Sequence, residues 1–153
     1  MKISLTEEIQ CLKSAPLFRS LKEEELRIIA LTTENFLFEP GEVIVEEGEE
    51  GGEAYIIHEG SVEVSRKTSD GEAVRLNLLG QGDVFGELAL FGRGLRTATV
   101  TAVAATQVSV ISKDKLFEII RAFPEIGIEM LKAVTARFAR MEDRLMSRTG
   151  PEK

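Results

Sequence analysis

The chain has 153 residues, 43% of them apolar, and a formal charge of −7. That is enough for one domain with a real core, and the acidic balance excludes an unaided grip on nucleic acid, which needs a basic face. Cys11 is the single cysteine and His58 the single histidine, which excludes an internal disulfide, an iron–sulfur or cysteine-rich zinc site and a histidine-rich metal site.

At the start of the chain Ile3, Leu5 and Ile9 are interrupted by Thr6, Glu7 and Glu8, which is not a signal-peptide run, and no apolar stretch approaches membrane-spanning length. A cytoplasmic, reducing location with no membrane contact is the expectation. Leu5, Ile9 and Leu12 recur at helical intervals; after Pro16 a second helix carries Leu21, Leu26, Ile29 and Ala30, with Ser20 and Glu23 spaced as a capping box. From Asn35 the pattern changes to short strands punctuated by glycine: Phe36–Phe38, Val43–Val45, Ala54–Ile57, Val62–Val64, Val74–Leu78, Thr97–Val103 and Val108–Val110. Pro40-Gly41, Gly48, Gly51-Gly52, Glu59-Gly60, Asp70-Gly71 and Gly80–Asp83 stand where the chain must reverse. Ser112 caps a helix over Lys113–Ala122, and Pro124 separates it from a last helix running to about Met146. The expected fold is mainly β with flanking helices: an antiparallel jelly-roll barrel with N-terminal helices and a C-terminal helical lid. It forms a single domain over 1–153, divided into a helical segment 1–33, a β-roll 34–112 and C-terminal helices 113–148.

Charge is distributed unevenly over this plan, with 10 basic and 19 acidic residues up to Ser112 against 9 and 7 from Lys113 onward. An acidic body that takes an anion must concentrate positive potential at one point, and the stretch Phe85-Gly86-Glu87-Leu88-Ala89-Leu90 with Arg96-Thr97-Ala98-Thr99-Val100 offers one. Gly86 permits a close turn, the N–H groups of Leu88 and Ala89 open a helical turn, and Arg96 adds a planar fork that stays charged at any working pH. Glu87 is itself an anion and suits a sugar hydroxyl better than a phosphate. One clamp therefore asks for ribose and phosphate together. The bland alternative is an ion pair between Glu87 and Arg96 across a loop, with Leu88 and Leu90 plugging a core.

The order of these side chains, and the interval from Glu87 to Arg96, resemble the phosphate-binding cassette of the cyclic nucleotide-binding domain family. That module occurs in catabolite activator proteins, regulatory subunits of protein kinase A and cyclic-nucleotide-gated channels. Ala15-Pro16-Leu17-Phe18, Leu21, Glu25-Leu26 and the turns at Pro40-Gly41-Glu42, Gly48-Glu49, Glu59-Gly60 and Gly82-Asp83 extend the likeness over roughly Leu12 to Arg144. The resemblance implies that Arg96 binds the phosphate and Glu87 the ribose 2′-hydroxyl of a cyclic nucleotide, with Gly86, Leu88, Ala89 and Thr97 completing the site. The base is expected against Val74, Leu76 or Leu78. Arg137, Arg140 and Met141 are expected near it because the family's C-terminal helix caps the base; otherwise they form a solvated basic face beside a packed thioether.

Cyclic AMP is the expected ligand and cyclic GMP the alternative, because Thr97 stands where many cAMP-binding members carry alanine and cGMP-dependent kinases carry threonine. No cofactor, metal or catalytic residue is expected. Leu131, Val134, Phe138, Met141 and Leu145 form an a/d seam that docks either on its own barrel or on a second copy, as in catabolite-activator-like dimers. About seven residues follow the last helix, so output is expected through an unidentified effector or a larger protein of which this is a piece. Three alternatives stay open: a nucleotide-free scaffold of the same fold, a cupin-like enzyme, and a haem or oxidant sensor, the last two weakened by the lone His58 and Cys11.

Overall fold

The computed structural model describes residues 3–92 and 94–149; the expected domain limits at residues 1 and 153 lie outside the described residues. Two helices, α1 (Leu5–Lys13) and α2 (Glu23–Ala30), precede strands β1 (Glu34–Phe38), β2 (Val43–Val45), β3 (Glu53–Glu59), β4 (Val62–Lys67), β5 (Ala73–Leu79) and β6 (Val84–Phe85). A single turn, α3 (Leu88–Phe91), leads to β7 (Thr99–Ala102) and β8 (Thr106–Ser112), and the chain closes with α4 (Lys113–Ala122) and α5 (Pro124–Thr149). The strands form two four-stranded sheets in the orders β1-β8-β3-β6 and β2-β7-β4-β5. Every pairing is antiparallel, so the expected jelly roll forms.

Period-two alternation explains how β3 and β8 tie two cores together. Ile56 and Ile111 face the helices, joining Leu12, Leu26, Ile29, Leu90, Leu116 and Ile126. Ile57, Val108 and Val110 face the space between the sheets, joining Val45, Val62, Phe85 and Val100. Each fully buried leucine or isoleucine contributes about 1.5–3 kcal/mol over its exposed state. The helices are therefore welded to the roll, and α3 hangs from it by Leu90, which is wholly buried.

Local differences from the expected elements have physical causes. The capping box belongs to α1, where Ser4 Oγ accepts from the Glu7 amide at 3.1 Å and Glu7 Oε1 accepts from the Ser4 amide at 3.0 Å. Helix α2 starts two residues later than Ser20–Glu23 implies: Leu21 still donates to the Phe18 carbonyl, and Glu25 Oε1 accepts from the Lys22 amide at 2.9 Å. The strand expected over Thr97–Val103 is shortened to Thr99–Ala102. Ser112 caps α4 as expected, its Oγ accepting from the Lys115 amide at 3.2 Å. No described helix is long and apolar enough to cross a membrane.

Candidate ligand site

Strand β6 ends at Phe85, and Gly86 turns the chain at φ +77°, a conformation that favours glycine. Space imposes the same choice, because a Cβ at Gly86 would lie 2.7 Å from Arg96 Nη1 and 2.9 Å from the Glu53 carbonyl. On the other side of the guanidinium a Cβ at Gly51 would lie 2.8 Å from Arg96 Nε. Arg96 thus occupies a slot that two glycines keep open. Its main chain is clamped as well: its N–H donates to the Glu49 carbonyl at 2.7 Å, and its carbonyl accepts from the Gly48 amide at 2.9 Å.

Only 8% of the Arg96 side chain is exposed. The guanidinium carbon lies 5.8 Å from the centre of the Tyr55 ring, which stacks on Phe85 at 4.8 Å. Burial pushes the Tyr55 hydroxyl above its ordinary pKa, with Glu53 adding to the rise and Arg96 opposing it. Among the described residues the carboxylate paired with Arg96 is Glu53, 3.5 Å from Nη2 and 47% exposed, a weakly neutralising partner. Nη1 is buried without a hydrogen-bond acceptor. A buried guanidinium in this condition is costly, and an anion with paired oxygens relieves it.

Glu87 presents the opposite charge. Its Oε1 accepts a hydrogen bond from Arg137 Nη1 of α5 at 3.1 Å, while Oε2 is buried without a donor. The ion pair between Glu87 and Arg96 weighed from sequence does not form; each residue pairs elsewhere. The Ala89 amide is also spent differently than expected, donating to the Gly86 carbonyl at 3.0 Å. That leaves the Leu88 amide as the one at the head of α3. The Leu88 side chain is exposed at the mouth, while Leu90 anchors the turn from behind.

These groups open on a hollow of about 780 Å³ whose lining includes Gly86, Glu87, Leu88, Ala89, Arg96 and Thr97. The structure brings the whole expected cassette together on it. It does not bring Val74, Leu76 and Leu78 there. Leu78 pairs with Glu63, the neighbour of the lining residue Val64, and so falls on the other face; a register shift leaves Leu76 without a partner and sets Val74 opposite Arg66, outside the lining, and all three apolar residues are about half exposed. The apolar wall is made by Val45, Val64, Val84, Phe85 and Val100 instead. Arg137 reaches the site through Glu87, whereas Arg140 and Met141 are exposed one turn further along α5, outside the lining. The sequence marks Gly51 only as a turn and Tyr55 only as a strand residue, and does not mark Glu53; the alternation in β3, which places Tyr55 on the Ile57 face toward the space between the sheets, was the available signal.

An antiparallel β-roll thus brings a buried, under-neutralised arginine and a carboxylate to one hollow, a pairing whose chemistry suits a small anion that bears hydroxyls. The model of the family described as "Cyclic nucleotide-binding domain" matches residues 36–123, and the chain belongs to that family. It is 29% identical over 136 residues to a "CRP-like cAMP-activated global transcriptional regulator" of Mycobacterium tuberculosis, covering 89% of this chain and 61% of the relative. It is 37% identical over 118 residues to a cGMP-dependent protein kinase of Drosophila melanogaster, covering 75% of this chain and 13% of the kinase. Among solved structures, the regulatory domain of Toxoplasma gondii PKA in co-crystals with cAMP superposes with a TM-score of 0.72 at 31% identity, over 78% of this chain and 46% of that one. The chain thus spans about three-fifths of the length of the regulator and a far smaller share of the kinase.

Proposed function

We propose that this chain is a non-catalytic sensing module that takes a cyclic nucleotide, cyclic AMP ahead of cyclic GMP, and passes its presence on through the flanking helices. The observation that carries the reading is Arg96: buried, held open by Gly51 and Gly86, and lacking an acceptor on Nη1 at the edge of the hollow. The phosphate sits on Arg96 and the Leu88 amide, the ribose on Glu87 Oε2 and the Gly86 backbone, and the base against the valine wall. Thr97 lines the same hollow and makes cyclic GMP tolerable through a hydroxyl within reach of a purine edge. A transcriptional regulator and a kinase share this region while differing in what they control, which supports sensing as its work and leaves output to a partner or to further chain.

Isothermal titration calorimetry with cyclic AMP and cyclic GMP tests this. One-to-one binding, tighter for cyclic AMP and with the ratio altered by Thr97→Ala, supports the module. Equal losses for both nucleotides in Thr97→Ala remove that residue from selectivity, and silence with both ligands leaves a nucleotide-free scaffold.

A further inference from the structure

Strand β1 is the edge of its sheet, and its register with β8, and through β8 with β3, fixes what stands beside it. Glu34 lies opposite Val110 and Val110 opposite Tyr55, while Ser112 lies opposite Glu53. Period-two alternation then puts Glu34, Phe36 and Phe38 on the same face as Glu53 and Tyr55, the face toward the space between the sheets. There these five residues, with Lys115, line a second hollow of about 290 Å³. Two carboxylates beside aromatic walls are a poor set for a hard metal ion, which takes about six to eight oxygens, and no cluster of metal-ligating side chains occurs among the described residues. Tyr55 is engaged with Phe85 and Arg96, whereas Phe36 is half exposed and neither it nor Phe38 meets another ring among the described residues. Glu34 has no ion-pair partner among the described residues, and Glu53 has only its loose contact with Arg96. Lys115 reaches the same hollow without pairing to either carboxylate, so the chain's own cation leaves their charge unanswered.

We propose that this second hollow binds a small organic cation, an alkylammonium whose methyl groups pack on Phe36 and Phe38 while Glu34 and Glu53 meet its charge. Aromatic rings attract a cation that is itself partly apolar, and a carboxylate nearby adds direct attraction. A neutral ligand of the same shape forgoes both. The site stands apart from the hollow that holds Gly86, Glu87 and Leu88, and it does not depend on what that hollow takes.

Tyr55 is the only tyrosine and the chain has no tryptophan, so tyrosine emission reports on this wall. The test titrates the chain with choline at an ionic strength held constant with sodium chloride, and with dimethylbutanol, the uncharged carbon analogue of choline. Saturation-transfer NMR of the choline methyl groups is the second readout. The expected result is saturable binding with a midpoint at about millimolar choline. Phe36→Leu keeps the position apolar without a ring, and Glu34→Gln keeps the shape without the charge; each weakens choline by about two- to fivefold. Lys115→Gln, which removes a like charge, strengthens it. Dimethylbutanol binding as tightly as choline overturns the proposal, because charge would then count for nothing. Choline binding untouched by both Phe36→Leu and Glu34→Gln overturns it too, since the cation would then sit elsewhere. No saturable signal in either readout overturns it outright.

Discussion

Arg96, which carries charge, and Cys11, which titrates under constraint, are both buried, and each has a measurable consequence. If the ligand phosphate neutralises Arg96, Arg96→Ala weakens cyclic nucleotide binding by about 2–5 kcal/mol, the usual cost of stranding one member of a buried charge pair. Arg96→Lys recovers only part of it, because an ammonium cannot bond two oxygens in one plane. Calorimetry reads both, and unchanged affinity in either variant overturns the role of Arg96. Cys11 is the second case. Burial, with the nearby Glu8 carboxylate adding to it, pushes the thiol up from 9.0 to about 11. The folded state therefore holds this proton more tightly than the unfolded chain, so the contribution is fully present below about pH 9 and is lost as pH rises toward 11, at about 1.4 kcal/mol per pH unit. Urea midpoints at pH 8 and pH 10.5 should converge in Cys11→Ala relative to wild type; identical alkaline losses in the two would show that the thiol does not titrate under this constraint.

At the scale of elements, what the sequence makes legible is what depends on near neighbours. The Ser112 cap, the break at Pro124 and most strand positions follow from patterns a few residues long, and the structure has them. Strand β6 has two residues, too few to show any period, and it exists only because β3 is there to pair with. Val74, Leu76 and Leu78 lie outside the hollow's lining because alternation marks an apolar face without saying which way it points, and the register, with its shift after Val64, is set only by pairing with β4. The Glu87–Arg137 contact is likewise invisible until α5 folds back over the cassette. A near-neighbour effect can be tested in isolation: Ser112→Ala removes the acceptor for the Lys115 amide and should cost about 1 kcal/mol in urea denaturation. Because α4 leads directly into α5, the same variant should leave the wild-type affinity for cyclic nucleotide intact if the cap supports stability alone.

For the whole molecule the open question is what lies along α5. This helix runs for 26 residues, and Leu131, Val134, Phe138, Met141 and Leu145 are exposed on it at intervals of three and four. Leu131 and Val134 continue into an apolar groove of about 660 Å³ with Phe91 of α3 and Phe117 of α4. The roll satisfies its own core without them, so the seam suits a second copy of the same helix, in the geometry that a/d residues favour. The expected state is a dimer by analytical ultracentrifugation, and Phe138→Glu, which sets a charge in the middle of the seam, should dissociate it while preserving the fold. A monomeric wild type would remove the dimer from this account. Phe138 is one residue from Arg137, so in the expected dimer one face of a single turn would meet the cassette and the other the second copy. Ligand that strengthens the Arg137–Glu87 tie should then shift the monomer–dimer equilibrium in the wild type and leave it unmoved in Arg137→Met, which sedimentation at a concentration near the dissociation midpoint reads directly.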